Sequence, residues 1–417
     1  MTKHRQAWLD IDLEAIRDNV TAIREFLTQT SNKGQARTAT AIRNLKTPAL
    51  MAVVKANAYG HGIVPVGRSA VSAGANWLGV ATVEEALTLR EAGISVPILL
   101  LSEPPEEALA ELLAADITCT VASVEFLQTL AGFAMLEHRE ITYHLKVDTG
   151  MRRIGVSVEN AVSLARAAAE EMPLLKMGGI FTHFANADVA KDWETSQQLE
   201  LFQGVVRRLD DIRLRPPLVH ACNSAATLLM PQAHFDMVRI GICLYGYHPS
   251  KDTQDIVDLT PAMTVRAQAS MVKPIAMGEG VGYGLTWRAH KPAKIVTLPL
   301  GYADGIPRLC SNKMDVLIDK TGKRIEQVGR VCMDMLMVAA NTTDEVKEGD
   351  EFVLMGAASA KSDAASVRKL AKEEQSLRFG RPDNFIGADE LAEHAETISY
   401  ELLCGMNQRL EKVYRNA

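Results

Sequence analysis

Lys55 closes an apolar run, Leu50 to Val54, and opens the stretch Ala56-Asn57-Ala58-Tyr59-Gly60-His61-Gly62. β-Branched residues ahead of glycine punctuation read as a buried strand entering a loop, which puts Lys55 at the strand's carboxyl end. A lysine so placed either forms a Schiff base with a carbonyl or simply extends its ammonium head to solvent. The stretch by itself favours the second reading. Lys146 and Asp148 sit in another apolar run, ahead of Thr149-Gly150-Met151-Arg152-Arg153. His183 follows Gly179–Thr182, His220 leads into Asn223-Ser224, and Arg239 and Gly241 lie within Val238–Leu244. Each has an ordinary role too: His183 as a core histidine, Arg153 as a surface ion-pair partner, and Ser224 as the N-cap of a helix over Ala225–Met230. Lys146 resists such a reading, because an unpaired ammonium within an apolar strand is costly. Tyr283, in Gly280-Val281-Gly282-Tyr283-Gly284, is by default a turn tyrosine.

The elements that must position these residues recur with a rhythm. Besides Leu50–Val54, short apolar runs occupy Trp77–Ala81, Pro97–Leu101, Ile117–Val121, Tyr143–Val147, Gly179–Thr182, Leu218–Ala221 and Val238–Leu244. Helical patterning separates most of them, as over Val83–Ala92, Ser123–Leu136, Val158–Glu171 and Glu194–Leu209. Eight βα units in series form a TIM barrel. An open doubly wound sheet is the alternative, weakened because no Gly-x-Gly-x-x-Gly turn follows the first strand. Beyond about residue 260 the pattern changes to short strands with Gly and Pro turns: Thr264–Ile275, Lys294–Leu300, Met314–Ile318, Gln327–Met337, Glu351–Met355 and a last strand at Ile398–Leu403. A short helix is expected at Ala388–Ala395. The expected fold class is thus α/β: an N-terminal barrel domain over 13–258 and a mainly-β domain over 259–417. Near the start, Trp8–Asp12 alternates like a strand and Asp12 caps a helix over Leu13–Phe26. Polar stretches at 29–47 and 357–384 read as surface excursions.

In such a barrel, functional residues sit at the carboxyl ends of the strands, and phosphate sites favour the loops after strands seven and eight. Lys55, Lys146, Arg153, His183, His220, Ser224, Arg239 and Gly241 would then share one mouth. A reactive lysine, a phosphate cradle and an arginine together suggest pyridoxal phosphate. Arg239 is the candidate partner of the ring nitrogen. A guanidinium is donor-only, so that nitrogen would stay unprotonated, which weakens carbanion delocalisation and discourages transamination.

Composition narrows the setting. With 47% hydrophobic and 23% charged residues and a formal charge of −6 spread along the chain, neither nucleic acid nor a membrane surface is an expected partner. Met1 to Asp12 lacks an apolar core of signal-peptide length and no run reaches membrane-spanning length, so a cytoplasmic location is expected. Six scattered cysteines without a CxxC pair support neither a metal site nor a disulfide framework.

Nine stretches in order resemble the alanine racemase family: Val53–Gly62, Lys146–Gly155, Thr182–Phe184, Asn223–Ala226, Arg239–Gly246, Gly282–Thr286, Gly301–Gly305, Gly329–Asp334 and Gly387–Leu391. The resemblance implies a barrel followed by a β domain to which residues 1–12 add a strand. It implies a homodimer whose active sites lie between the barrel of one subunit and the β domain of the other, with pyridoxal 5'-phosphate as cofactor. Lys55 is similar to the cofactor lysine and Tyr283, from the partner subunit, to the opposing base. His183, Arg239 and His220 resemble the residues that orient that tyrosine. Tyr59, Ser224, Gly241 and Ile242 match phosphate contacts. Arg153 and Met333 match substrate-carboxylate contacts, while Tyr302, Asp188, Arg308 and Arg330 match the entrance corridor. Lys146 matches a lysine that is often carbamylated. Inversion then needs proton removal on one face of the substrate aldimine and delivery on the other, by Lys55 and Tyr283. A free phenol titrates near ~10, so its neighbour His183 would have to assist it.

The implied product is D-alanine for cell-wall peptidoglycan. A broader small amino acid racemase and a barrel-type amino acid decarboxylase remain alternatives, as does a non-catalytic cofactor-binding protein. Two positions depart from the family pattern. Arg152 stands where a glycine is usual. Gln408 stands where a tyrosine usually faces the phosphate, which implies a wider mouth or weaker phosphate binding.

Overall fold

The computed structural model describes residues 5–35, 47–359, 363–376 and 383–416. Eight parallel strands form the barrel: Ala49–Val53, Trp77–Val80, Ile98–Leu100, Cys119–Val121, Ile141–Asp148, Leu175–Phe181, Leu218–His220 and Met237–Ile240. They pair in two arcs. The eighth lies beside the first, second and third; the fourth lies beside the fifth, sixth and seventh. A parallel bridge from Leu99 to Thr118 joins the arcs on one side, and Arg239 N donates to Cys222 O (3.0 Å) on the other. These strands are short and almost wholly buried, as expected where helices cover one side and packed side chains fill the other.

The helices start where their caps dictate. Ser123, Ser157 and Asp192 each accept a backbone N–H from the third residue of the helix that follows. Thr82 does the same for the helix Val83–Glu91 and forms a capping box with Glu85. The first helix runs from Leu13 to Gln35, longer than its pattern suggested. Thr28, Thr30 and Ser31 turn their hydroxyls onto carbonyls one turn back, so the polar stretch continues as helix at least to Gln35. The rest of the 29–47 excursion lies mostly outside the described residues.

A ten-stranded sheet dominates the second half of the chain. Ala7–Asp12 enters it antiparallel to Met263–Gln268 and parallel to Glu411–Arg415. Several expectations need correction. Gln327–Met337 is not one strand: Lys323–Val328 and Leu336–Asn341 flank a loop over 329–335, and Thr264–Ile275 divides into Met263–Gln268 and Met271–Ile275. Ile398–Leu403 is not a strand: Ser399–Gly405 is a helix whose Leu402 and Leu403 are buried. The last strand is Glu411–Arg415, which its charged composition concealed. Part of the 357–384 insert is the helix Ala364–Ser376. Arg266, almost completely buried, ties the sheet together through Asp10 (2.7 Å) and Asp319 (2.6 Å).

Candidate active site

The barrel mouth gathers the residues singled out from sequence. Lys55 follows the first strand. Tyr59 lies one turn further on, its ring stacked on Tyr245 with centroids 4.6 Å apart. The Tyr245 hydroxyl donates to Val53 O (2.9 Å), which fixes that stack against the strand carrying Lys55. A Cβ on Gly241 would lie 2.8 Å from the Tyr59 hydroxyl, so only glycine allows this approach. Gly241 N donates to Ser224 Oγ (2.9 Å). Ser224 is not the helix cap; Asn223 is, its Oδ1 accepting from Ala226 N (3.0 Å). Two hydroxyls and the Gly241–Ile242 backbone therefore converge at the loops after strands seven and eight. Burial pushes the Tyr59 phenol above its usual range, so it remains a donor.

Arg239 crosses the floor of the mouth. Its Nη1 donates to His220 Nδ1 (2.9 Å). Its Nη2 faces Thr182 O (2.8 Å), Ala221 O (2.9 Å) and His183 Nδ1 (3.3 Å). Burial lowers Arg239 to about 10, still protonated at neutral pH. An arginine can only donate, so both histidines accept on Nδ1 and carry their proton on Nε2. His220 Nε2 then donates to His144 Nδ1 (3.0 Å). Burial, and next the Arg239 charge, holds His183 and His220 well below the usual histidine range. The arrangement leaves a neutral His183 with its Nε2–H free to serve an incoming group.

His144 and Phe181 were not anticipated from sequence. Phe181 stacks on His220 at 4.7 Å and 5°, while its ring lies 5.1 Å from Lys146 Nζ and 5.4 Å from Arg239 Cζ. Lys146 falls to about 7 because it is buried, with Arg239, Arg153 and Lys55 adding to the shift and Asp148 opposing it. So many cations around one mouth call for an anion. The hydroxyl cradle and the cationic surround fit a phosphorylated pyridine aldehyde.

Arg152 stands in the left-handed region (φ 57°), its N–H donating to Asp148 Oδ1 (3.1 Å). The turn ahead of Arg153 is thus built with an arginine where a glycine is the easier choice. Arg153 itself is exposed at the rim of the mouth.

Tyr283 and Met333 lie elsewhere, on the β domain. They are 71% and 54% exposed and line a cleft of about 870 Å³ whose walls include Gly282, Asp334 and Met335 and no barrel residue. Tyr302 N donates to Cys332 O (3.0 Å), which holds the Gly301–Gly305 turn beside the same loop. Arg409 anchors that loop from the C-terminal segment by donating to Asp334 Oδ1 (2.6 Å), and Gln408 beside it is exposed.

The buried histidines make a prediction. Burial lowers His61 to about 4, His144 to about 3 and His248 to about 4. Each is harder to protonate folded than unfolded, so its contribution is complete above about pH 6.5 and is lost as pH falls toward 3–4. Every such histidine steepens the loss by about 1.4 kcal/mol per pH unit. Urea unfolding midpoints are expected to drop sharply between about pH 7 and pH 5; midpoints that stay level would mean these rings are not held neutral.

A barrel mouth with a strand-end lysine, two hydroxyls beside a glycine backbone and a β domain carrying an exposed tyrosine fits a barrel-type pyridoxal phosphate enzyme. Family models for the alanine racemase N-terminal domain and C-terminal domain match residues 34–249 and 262–378. Alanine racemase 1 of Oceanobacillus iheyensis is 37% identical over 417 residues, covering 99% of each chain. The alanine racemase of Symbiobacterium thermophilum is 38% identical over 98% of this chain and 97% of its own. Among solved structures, the alanine racemase from D-cycloserine-producing Streptomyces lavendulae superposes with a TM-score of 0.83 at 34% identity, covering 99% of this chain and 98% of that one. The enzyme of Streptomyces coelicolor gives 0.82 at 35% identity, covering 99% and 98%. This chain belongs to the alanine racemase family.

Proposed function

We propose that the protein interconverts L- and D-alanine, with Lys55 and Tyr283 as bases on opposite faces of the substrate, inside a homodimer with shared sites. The observation that carries this reading is the separation of the two bases. The mouth holds Lys55, whereas Tyr283 stands exposed on a β-domain cleft lined by no barrel residue. Met277, Leu285, Met333 and Met335 are exposed with it, an apolar surface suited to a second copy of the chain. The partner's barrel would receive Tyr283 opposite Lys55.

Pyridoxal phosphate, when bound, supplies an electron sink that acidifies the substrate α-hydrogen. Lys55, Tyr59, Ser224, Arg239, Gly241, Ile242 and Arg153 would hold it. Lys55 Nζ takes or returns a proton on one face and the Tyr283 hydroxyl on the other. His183, kept neutral with Nε2–H outward, steadies the tyrosine oxygen when it lacks its proton. Arg239 fixes that tautomer and is itself held by His220. Arg153 and the Met333 backbone receive the substrate carboxylate, and Tyr302 narrows the approach. A carbamate on Lys146, favoured by an amine that is about half neutral near pH 7, would place a carboxylate beside Arg153. Carbon-13 bicarbonate should then give a carbamate resonance that Lys146→Ala lacks.

The barrel and β domains are taken to divide at 258 and 259. No described helix is long and apolar enough to cross a membrane. We place the enzyme in the cytoplasm, where its D-alanine would feed peptidoglycan. A chiral assay of L-alanine, L-serine and L-lysine with added pyridoxal phosphate tests the function. D-alanine is the expected main product. D-serine at a comparable rate would mark a broader racemase, and carbon dioxide release a decarboxylase.

A further inference from the structure

The turn after Lys55 is left-handed. Ala56, Asn57, Ala58 and Tyr59 have φ of 53°, 52°, 54° and 50°, and none is glycine. A side chain with a Cβ is strained in this region, so the surroundings must hold the turn in place. The turn sets where Lys55 and Tyr59 stand relative to each other, hence the reach from the lysine amine to the Gly241–Ser224 cradle.

Several tethers act from within the same loop. Asn57 Oδ1 accepts from Ile63 N (2.9 Å), and His61 Nδ1 lies 3.1 Å from Ala58 O and 2.9 Å from Tyr59 O. At the far end Gly60 lies against the helix Ser399–Gly405, where a Cβ would be 2.3 Å from Leu403 O. The near end, next to Lys55, is held from a different barrel strand. Glu85 Oε1 accepts from Ala56 N (2.5 Å) and, more weakly, from Asn57 N (3.4 Å). Its other oxygen accepts from Ala81 N (2.9 Å) and Thr82 N (3.3 Å), just after the second strand. One carboxylate therefore binds the ends of barrel strands one and two together at the residue following the lysine.

We infer that Glu85 is a positioning residue for the cofactor lysine: its carboxylate clamps the left-handed turn that aims Lys55 and Tyr59 at one bound molecule. Capping the helix Val83–Glu91 accounts only for the bonds to Ala81 and Thr82; the bond to Ala56 serves the turn. The inference rests on Lys55 being the lysine that carries the cofactor.

Three variants and a control test it on the dimeric apoenzyme, by pyridoxal phosphate affinity from protein fluorescence and by the rate at which borohydride fixes a pyridoxyl group on the chain. Glu85→Ala is expected to weaken affinity by about 10-fold or more and to slow fixation, the range for losing a charged hydrogen-bond acceptor. Glu85→Gln keeps the length and one acceptor oxygen, and is expected to recover part of both losses. It also carries the test should Glu85→Ala fail to fold. Thr82→Ala removes the other half of the capping box and is expected to leave both readouts unchanged. Glu85 variants that match the unmodified protein, or a Thr82→Ala that reproduces their losses, would overturn the positioning role. Lys55→Ala separates the underlying reading: a pyridoxyl group still fixed in that variant would remove Lys55 as the attachment point, whatever the Glu85 variants do.

Discussion

Alanine at position 55 is expected to slow racemisation by at least about 10³-fold, because one substitution removes both the covalent anchor and one of the two bases. Lys55 is half-buried at a strand end, and its loss empties no core position. The protein should therefore still fold. Borohydride treatment, digestion and mass spectrometry are expected to find a pyridoxyl group on Lys55 of the unmodified chain and none in the variant. A group fixed on Lys146 instead would reassign the anchor. That is the pertinent rival, since burial and three neighbouring cations hold Lys146 at about 7 and leave it partly as free amine.

Phenylalanine at position 283 removes a single oxygen from a residue that is mostly exposed within its own chain, so stability should hardly change. Turnover is expected to fall by about 10²-fold or more, the range for a lost general acid–base group. In deuterated water the variant should still exchange the α-hydrogen of one enantiomer, on the face served by Lys55. Exchange would then outrun inversion, whereas the unmodified enzyme keeps the two closer in rate. Exchange and inversion slowed alike would make Tyr283 a structural residue. Mixing Lys55→Ala with Tyr283→Phe chains tests the shared site. In a mixed dimer one of the two mouths pairs an intact Lys55 with an intact Tyr283. Random pairing should therefore restore about a quarter of full activity. No recovery after subunit exchange would place both bases within one chain.

Much of the scaffold was legible in the sequence because barrel strands are short, apolar and bounded by glycine or polar residues. Each of the eight expected runs overlaps a barrel strand, although the eighth ends at Ile240 and passes into a short helical turn over Ile242–Tyr245, and the helix expected at Val158–Glu171 has those bounds. Ile398–Leu403 failed because a few apolar residues fit a half-buried strand and a short helix equally well. Glu411–Arg415 escaped notice because its pairing with Ala7–Asp12, not its own pattern, makes it a strand.

The sequence by itself determined the reagents: which residue types stand at which strand ends, and that lysine, arginine, histidine, serine and tyrosine would share a mouth. Only the tertiary structure decided their chemical states. It set His183 and His220 as neutral acceptors on Nδ1 by packing one arginine against both, and brought His144 and Phe181 behind them. It joined Glu85 to the residue after Lys55 across 29 positions of chain. It also left Tyr283 facing outward, away from the mouth of its own barrel. Side-chain periodicity tells which face of an element is covered. Proton positions, burial and charge depend on neighbours brought from distant segments, and those exist only once the barrel has closed.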